Sequence, residues 1–264
     1  MWIAQLSDPH VRPAGTLYRE VVDANAALAA AVAQVNALDP PADLVLLTGD
    51  LTETGTAEEY AAARAILAPL RAPLRAIPGN HDEREAFRRA FHDHPWLPAS
   101  GPLHHVEASC GPVRVIALDV TLPGLHHGKA DAAALDWLKA ALAEAPERPT
   151  VVMMHQPPIA CGVPYLDRYR CHGEAALAAL LAHYPAVERV LCGHVHRSML
   201  RRFGGTLLCT APSTATAIAL RPRGDARPAS FLEPPGFLLH QWRPEGMLTH
   251  LVPVGRFPGP FPFA

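Results

Sequence analysis

The stretch Asp43-Leu44-Val45-Leu46-Leu47-Thr48-Gly49-Asp50 is an apolar run that stops on Gly-Asp. A run of this length without polar alternation suits a strand covered on both faces, as in a parallel sheet flanked by helices. Ligands of such sheets sit beyond the carboxyl ends of the strands, which is where Asp50 falls. The stretch therefore predicts an α/β core and a carboxylate delivered to a site.

Neighbouring segments repeat the pattern. Residues 2–6 read as a short strand, and Glu20–Leu38 carries Val21, Leu28, Val32, Val35 and Leu38 at helical spacing. Thr56 can cap a helix running to the neighbourhood of Leu70, with Glu58 and Glu59 in its first turn, where the helix dipole favours them. Pro73–Ile77 is a third strand, Pro78-Gly79-Asn80-His81-Asp82 a turn and Glu83–His92 a helix, so strand–loop–helix units follow one another. Further along, 103–108 and 113–118 read as a hairpin, Asp131–Leu142 as an amphipathic helix, Thr150–Met154 as a strand, Glu174–His183 as a helix and Val187–Leu191 as a strand. From Met199 onward the pattern is strand and loop: a hairpin about Gly204-Gly205, then Thr206–Cys209, Gly236–Trp242 and Met247–Val252. The prolines between Pro222 and Pro235 mark an irregular connection.

The 264 residues, 49% hydrophobic and 18% charged, can bury a large core. A formal net charge of -2 gives no basic footprint for nucleic acid, and no Lys/Arg run suits an anionic membrane surface. The amino terminus shows neither a basic n-region nor a long apolar segment, so the expectation is no signal peptide, no membrane span and a cytoplasmic location. Five cysteines without a C-x-x-C pair argue against a disulfide framework and against a structural zinc cluster. Free thiols are expected, although Cys161 and Cys171 flank a loop and could meet. The tail Phe257–Phe263 reads either as an extended terminus packed on its own domain or as aromatic groups crossing a subunit interface.

The strand ends share one chemistry. They are Asp8-Pro9-His10, Gly49-Asp50, Gly79-Asn80-His81-Asp82, His155 and Gly193-His194-Val195-His196. In extended backbone, residues two apart point the same way, so Asp8 with His10, and His194 with His196, are expected to present paired ligands to one side. Asp8, His10, Asp50, Asn80, His155, His194 and His196 are too many donors for one small divalent ion in an open site. Two ions about 3.5 to 4 Å apart, bridged by one carboxylate, account for them better. Imidazole and carboxylate donors without thiolate suit manganese, iron, cobalt or zinc.

This series, in this order over residues 8–196, resembles the calcineurin-like metallophosphoesterase superfamily. Leu17-Tyr18 through Asp23 and Asn25, together with Leu122–Gly128, look like the bacterial class III cyclic-nucleotide phosphodiesterases and the similar glycerophosphodiesterases. The resemblance implies an α/β fold of four layers, αββα, a double β-sandwich with helices on both outer faces. It implies a catalytic core over 1–198, with C-terminal strands over 199–264 that complete the sandwich and serve as a cap or in homo-oligomerisation, as a dimer or higher assembly. By the same resemblance one ion takes Asp8, His10, Asp50 and His196, and the other takes Asp50, Asn80, His155 and His194. Asp50 is then the bridge.

The activity implied is hydrolysis of small phosphodiesters, such as 3',5'-cyclic AMP or glycerophosphodiesters, by hydroxide that the metals make available near neutral pH. His81 would contact the phosphoryl group or protonate the leaving alcohol. Asn80, His81 and Tyr18 are candidate substrate-binding residues, with Asp23, Asn25, His126 and His127 further candidates by resemblance, and Asp82 is expected to support the ligands. Two departures stand out. Gln156 replaces the second histidine of a His-His-Pro-Pro pattern, and no arginine follows Gly49-Asp50, which disfavours a protein substrate. The rival readings are a broad-specificity phosphomonoesterase, a nuclease, which would want a basic groove, and a non-catalytic scaffold of the same fold.

Overall fold

Leu44 and Leu46 face one way, Val45 and Leu47 the other, and all four are fully buried. Strand side chains alternate between faces, so a strand apolar at every position needs cover on both sides. The computed structural model describes residues 1–263, with that cover provided by a second sheet on one face and helices on the other.

In chain order the elements are β1 (Trp2–Leu6), α1 (Ala24–Asn36), β2 (Leu44–Thr48), α2 (Ala57–Leu67), β3 (Leu74–Ile77), α3 (Arg84–Ala90), β4 (His105–Glu107), β5 (Arg114–Ala117), β6 (Gly128–Lys129), α4 (Ala132–Ala143) and β7 (Thr150–Met153). There follow α5 (Pro164–Asp167), β8 (Cys171–His172), α6 (Glu174–Ala182), β9 (Val187–Cys192), β10 (Met199–Phe203), β11 (Thr206–Thr210), β12 (Ala217–Ile218), β13 (Ser230–Phe231), β14 (Gly236–Arg243) and β15 (Gly246–Pro253). One sheet has the order β15-β14-β1-β2-β3 and the other β10-β11-β9-β7-β5-β4. β1, β2 and β3 are parallel, as are β5, β7, β9 and β11, while β14, β15, β10 and β4 pair antiparallel. The C-terminal strands therefore divide between the two sheets.

Between the sheets, Ile3, Leu44, Leu46 and Ile77 meet Val115, Val151, Met153 and Leu191. Leu28 and Val32 of α1, Tyr60 of α2 and Phe87 of α3 cover the outer face of the first sheet, and Leu138 of α4 and Leu177 of α6 cover the second. The result is the four-layer αββα arrangement. Each fully buried leucine contributes about 2 kcal/mol through the area it removes from water.

Three differences from the sequence pattern have local causes. Helix α1 begins at Ala24 rather than Glu20, because Arg19 and Glu20 take left-handed backbone, Tyr18 bridges to Val22 and Asp23 caps the helix through Ala26 N. Val21, counted in the helical spacing, lies before the helix and is 56% exposed. The ribbons β6–β8 and β12–β13 and the single-turn α5 are too short to carry a period. The five cysteines are free, so Cys161 and Cys171 do not pair. Among the described residues no helix is long and apolar enough to cross a membrane.

One polar group in the sheet layer needed a partner from far along the chain. Gln5 Nε2 donates to Thr48 Oγ1 and to the Cys192 carbonyl, both at 3.0 Å, and its Oε1 accepts from His240 Nε2 at 3.1 Å. Thr249 Oγ1 lies 2.9 Å from His240 Nδ1, so the imidazole is neutral and fully partnered. Burial, reinforced by Arg189 and His250, pushes the His240 pKa down to about 3.

Below an unfolded value of about 6.5 the unfolded chain gains a proton that folded His240 refuses, so stability falls as pH drops from there towards 3. The parent should lose roughly 2 kcal/mol from this group by pH 5. A His240→Gln variant should show a shallower loss in urea melts between pH 7 and pH 5; equal slopes would rule out this group as the cause.

Candidate metal centre

The parallel strands of both sheets bring their carboxyl ends to one rim, where each chain segment turns out of its strand. Asp8 (φ 51°), His10 (48°), Asp50 (49°), His194 (70°) and His196 (53°) all adopt left-handed backbone there. Non-glycine residues in that region are strained and cluster at functional sites. This backbone is not the extended one expected, and although Asp8 and His10 still fall in one donor group, the expected pairing of His194 with His196 is corrected. His194 and His196 do not point to one side: His196 joins Asp8 and His10, whereas His194 joins His155, because the left-handed turns break the two-residue alternation.

Three donor groups result: two share Asp50, and the third is His10, Glu53 and His81. Asp8, His10, Asp50 and His196 offer atoms all within 4.8 Å of one another, and so do Asp50, His155 and His194. Asp50 belongs to both of these. Asn80 reaches the second group, its Oδ1 3.2 Å from His155 Nε2, and its Nδ2 donates to His126 Nδ1 at 3.2 Å. All seven residues singled out by their strand ends are thus brought together. His81 adjoins them, its backbone N–H donating to Asp50 Oδ1 at 2.9 Å.

The imidazoles are turned to leave lone pairs inward. His155 Nδ1 donates to the Thr48 carbonyl at 2.7 Å, His196 Nδ1 to the Thr216 carbonyl at 2.9 Å and His10 Nδ1 to Glu53 Oε2 at 2.7 Å. His10 Nε2 and His196 Nε2 then face each other at 3.0 Å, two acceptors that need a cation between them. His194 Nε2 is buried with no partner. An orphaned buried nitrogen beside converging carboxylates is the signature of a site completed by metal, and the donors fit divalent ions.

Charge is distributed accordingly. Burial lifts the Asp8 carboxyl to about 6, aided by nearby Asp50 and opposed by His155. Burial also works against ionised Asp50, but His155, His81 and His10 outweigh it and hold that carboxyl well below its usual range. His155, although buried, is held up at about 9 by Asp50 and Asp8, so an ion binding its Nε2 must displace a proton there. Burial and His155 push His194 down to about 3, and burial and His10 keep His196 neutral as well.

Three glycines that could pass for turn residues have a steric reason. A Cβ on Gly79 would lie 2.1 Å from Asp50 Oδ1, one on Gly193 2.1 Å from Ser7 Oγ, and one on Gly49 2.3 Å from His155 Nδ1. Asp82 locks the loops that carry Asp50 and Asn80, accepting from the backbone N–H groups of Leu51, Thr52 and Gly79 and from the hydroxyls of Thr52 and Tyr60. Glu53 is the residue that motif reading missed. It takes the outer nitrogen of His10, and its carbonyl accepts from His81 Nδ1 at 2.9 Å; no spacing marks it, because only the fold brings it to the site.

Of the further candidates, Tyr18 stacks on His10 with ring centroids 4.7 Å apart, and it lines the cavity above the donors, as does His126. Asp23 instead caps α1, Asn25 clasps the backbone of Arg12, and His127 packs edge-on against His172. Their short-range capping and packing partners take them away from the cavity. Gln156 donates to the His126 carbonyl at 3.2 Å, steadying the loop that carries this ring.

The cavity measures about 360 Å³, the size of a small-molecule site, and, of the donors, His10, Asp50, Asn80, His194 and His196 line it. The model of the calcineurin-like phosphoesterases matches residues 1–198. The chain belongs to the calcineurin-like phosphoesterase family. Across its whole length this phosphoesterase is similar to a probable glycerophosphodiester phosphodiesterase, GpdQ, of Arcobacter nitrofigilis, with 36% identity over 265 residues, covering 100% of this chain and 97% of that protein. It is 35% identical over 217 residues to the 3',5'-cyclic adenosine monophosphate phosphodiesterase CpdA of Pseudomonas aeruginosa, covering 82% and 77% of the two chains. A dimetal phosphatase from Danio rerio shares the fold, with a TM-score of 0.65 at 12% identity over 97% of this phosphoesterase and 99% of that chain. The family holds two divalent metal ions, in keeping with the two donor groups that share Asp50.

Loss of the carboxylate that orients a ligand imidazole lowers metal affinity by about 10- to 100-fold. Glu53→Ala should therefore weaken metal binding by calorimetry on that scale while leaving the melting temperature of the metal-free protein close to the parent's. Unchanged affinity would show that His10 is positioned without it.

Proposed function

We propose that this phosphoesterase hydrolyses small phosphodiesters, 3',5'-cyclic nucleotides or glycerophosphodiesters, with two divalent ions. The observation that carries the reading is one buried carboxylate, Asp50, shared between two donor groups and lining a small-molecule cavity. Asp8, His10, Asp50 and His196 would hold one ion, and Asp50, Asn80, His155 and His194 the other. Manganese, iron, cobalt and zinc suit this set of imidazole, carboxylate and amide donors. When bound, the ions would supply hydroxide near neutral pH and offset the charge that develops on the phosphoryl oxygens.

The chain's own groups do the rest. His81 Nδ1 is engaged by the Glu53 carbonyl, which leaves Nε2 for the cavity. Although burial opposes its charging, Asp50 and Glu53 raise the His81 pKa, so Nε2 keeps a proton to higher pH. It is placed to contact a phosphoryl oxygen or to give that proton to the departing alkoxide. Asn80 and Tyr18 complete the substrate side. The ring of Tyr18 stacks on His10 and shields it from solvent.

Residues 1–198 form the catalytic core in this reading, and the strands beyond it serve assembly as a homodimer or higher oligomer in the cytoplasm. Exposed Leu248 and Leu251, on opposite faces of edge strand β15, with Phe257 and Phe261 after it, leave an apolar edge that supports self-association. The formal net charge of -2 supports a small substrate over nucleic acid.

Protein reconstituted with manganese should turn over 3',5'-cyclic AMP or a glycerophosphodiester in preference to an aryl phosphomonoester; turnover of the monoester alone would sink the diesterase reading. Elemental analysis provides the second check. Asp50→Ala should lose both ions, His10→Ala chiefly one and Asn80→Ala chiefly the other, whereas an Asp50→Ala variant that kept both would refute the bridge.

A further inference from the structure

Among the described residues lining the cavity, Arg19 is the one arginine or lysine. Its backbone lies at φ 48° and that of Glu20 at φ 62°, two consecutive non-glycine residues in left-handed conformation. Glycine would adopt this backbone freely, so a long charged side chain here is a choice against local stability. Arg19 Nε donates to the Tyr18 hydroxyl at 2.9 Å, and the guanidinium carbon lies 5.3 Å from the Tyr18 ring centroid. Among the described residues its terminal nitrogens have no protein hydrogen-bond partner.

The Tyr18 ring that Arg19 covers is itself stacked on His10. The guanidinium is therefore one ring removed from the metal donors, at the depth of an ester arm rather than of the reacting phosphoryl group. Tyr165 and Tyr169 line the same cavity, their rings edge-on at 5.6 Å. Arg168 covers both rings, 5.3 and 5.6 Å from their centroids, with its Nε held by the Tyr165 carbonyl. The attraction these rings could offer a cationic ligand is already taken up by Arg168.

Resting on the diesterase reading above, we propose that Arg19 determines specificity, admitting diesters whose arm is neutral or anionic and rejecting those whose arm ends in an ammonium group. Every phosphodiester carries the same single negative charge at phosphorus, so the arm is the variable. A polyol or a nucleobase offers oxygen or nitrogen acceptors to the terminal N–H groups of Arg19, whereas an ammonium arm offers none and meets a guanidinium of like charge. Placing like charges against each other is an effective way to exclude a competitor.

The test uses manganese-reconstituted protein and two diesters that differ only in the arm, glycerophosphoglycerol and glycerophosphocholine. The parent should prefer the glycerol arm by about tenfold or more in kcat/KM, as like-charge contact at intermediate dielectric implies. Arg19→Gly should bring the ratio towards unity and melt at or above the parent's temperature, and Arg19→Lys should keep the preference. An unchanged ratio in Arg19→Gly would overturn the inference and leave the diesterase reading standing. A melting temperature well below the parent's would overturn the argument from strain. A parent that turned over neither diester would remove the diesterase reading, and this inference with it.

Discussion

Asp50 carries its negative charge in a place nearly without water, and the surrounding structure answers to that constraint. Burial alone would protonate it, yet His155, His81 and His10 stand near enough to keep it ionised. An anion held this way is unsatisfied by imidazoles that must themselves remain ligands. Its two oxygens, one 3.3 Å from His155 Nε2 and the other 3.8 Å from His10 Nε2, face its two donor groups separately. One residue thus couples both halves of the centre.

Holding a carboxylate there requires a rigid and crowded cradle. Gly79 has no Cβ because Asp50 occupies the space, and Asp82 ties the two loops by accepting from both. The strained backbones at Asp8, His10, Asp50, His194 and His196 persist because strands buried in two cores fix the chain on either side. The same rigidity explains the outward hydrogen bonds of His10, His155 and His196. Each fixes a ring so that one nitrogen faces inward, and no rotamer search is left for the ions to suppress.

Beyond the donors the cavity is lined by groups of a different kind. Tyr18, Tyr165 and Tyr169 provide aromatic wall, and Arg19 provides charge away from the donors. In the proposed function chemistry and selectivity are separated: the strand ends would hold what acts on phosphorus, and loops outside the sheets what meets the rest of the substrate. Loops can vary in this way because the cores do not depend on them.

The sheet, the order of its motifs and the seven candidate donors were legible in sequence, because each lies within a few residues of the end of an apolar strand and takes its position from it. The run 43–50 by itself determined a doubly covered strand ending in a carboxylate, since no other environment satisfies apolar residues on both faces. Three things were decided only by the tertiary structure. Left-handed turns sent His194 and His196 to different donor groups, a split that the family resemblance implied but no spacing rule reveals. Glu53 reached His10, and Arg19 reached the cavity, through the path of loops that carry no period. Gln5 found His240 at the other end of the chain because β14 pairs with β1. Periodicity records which face of an element is buried; which distant groups meet at that face is set by how the elements pack.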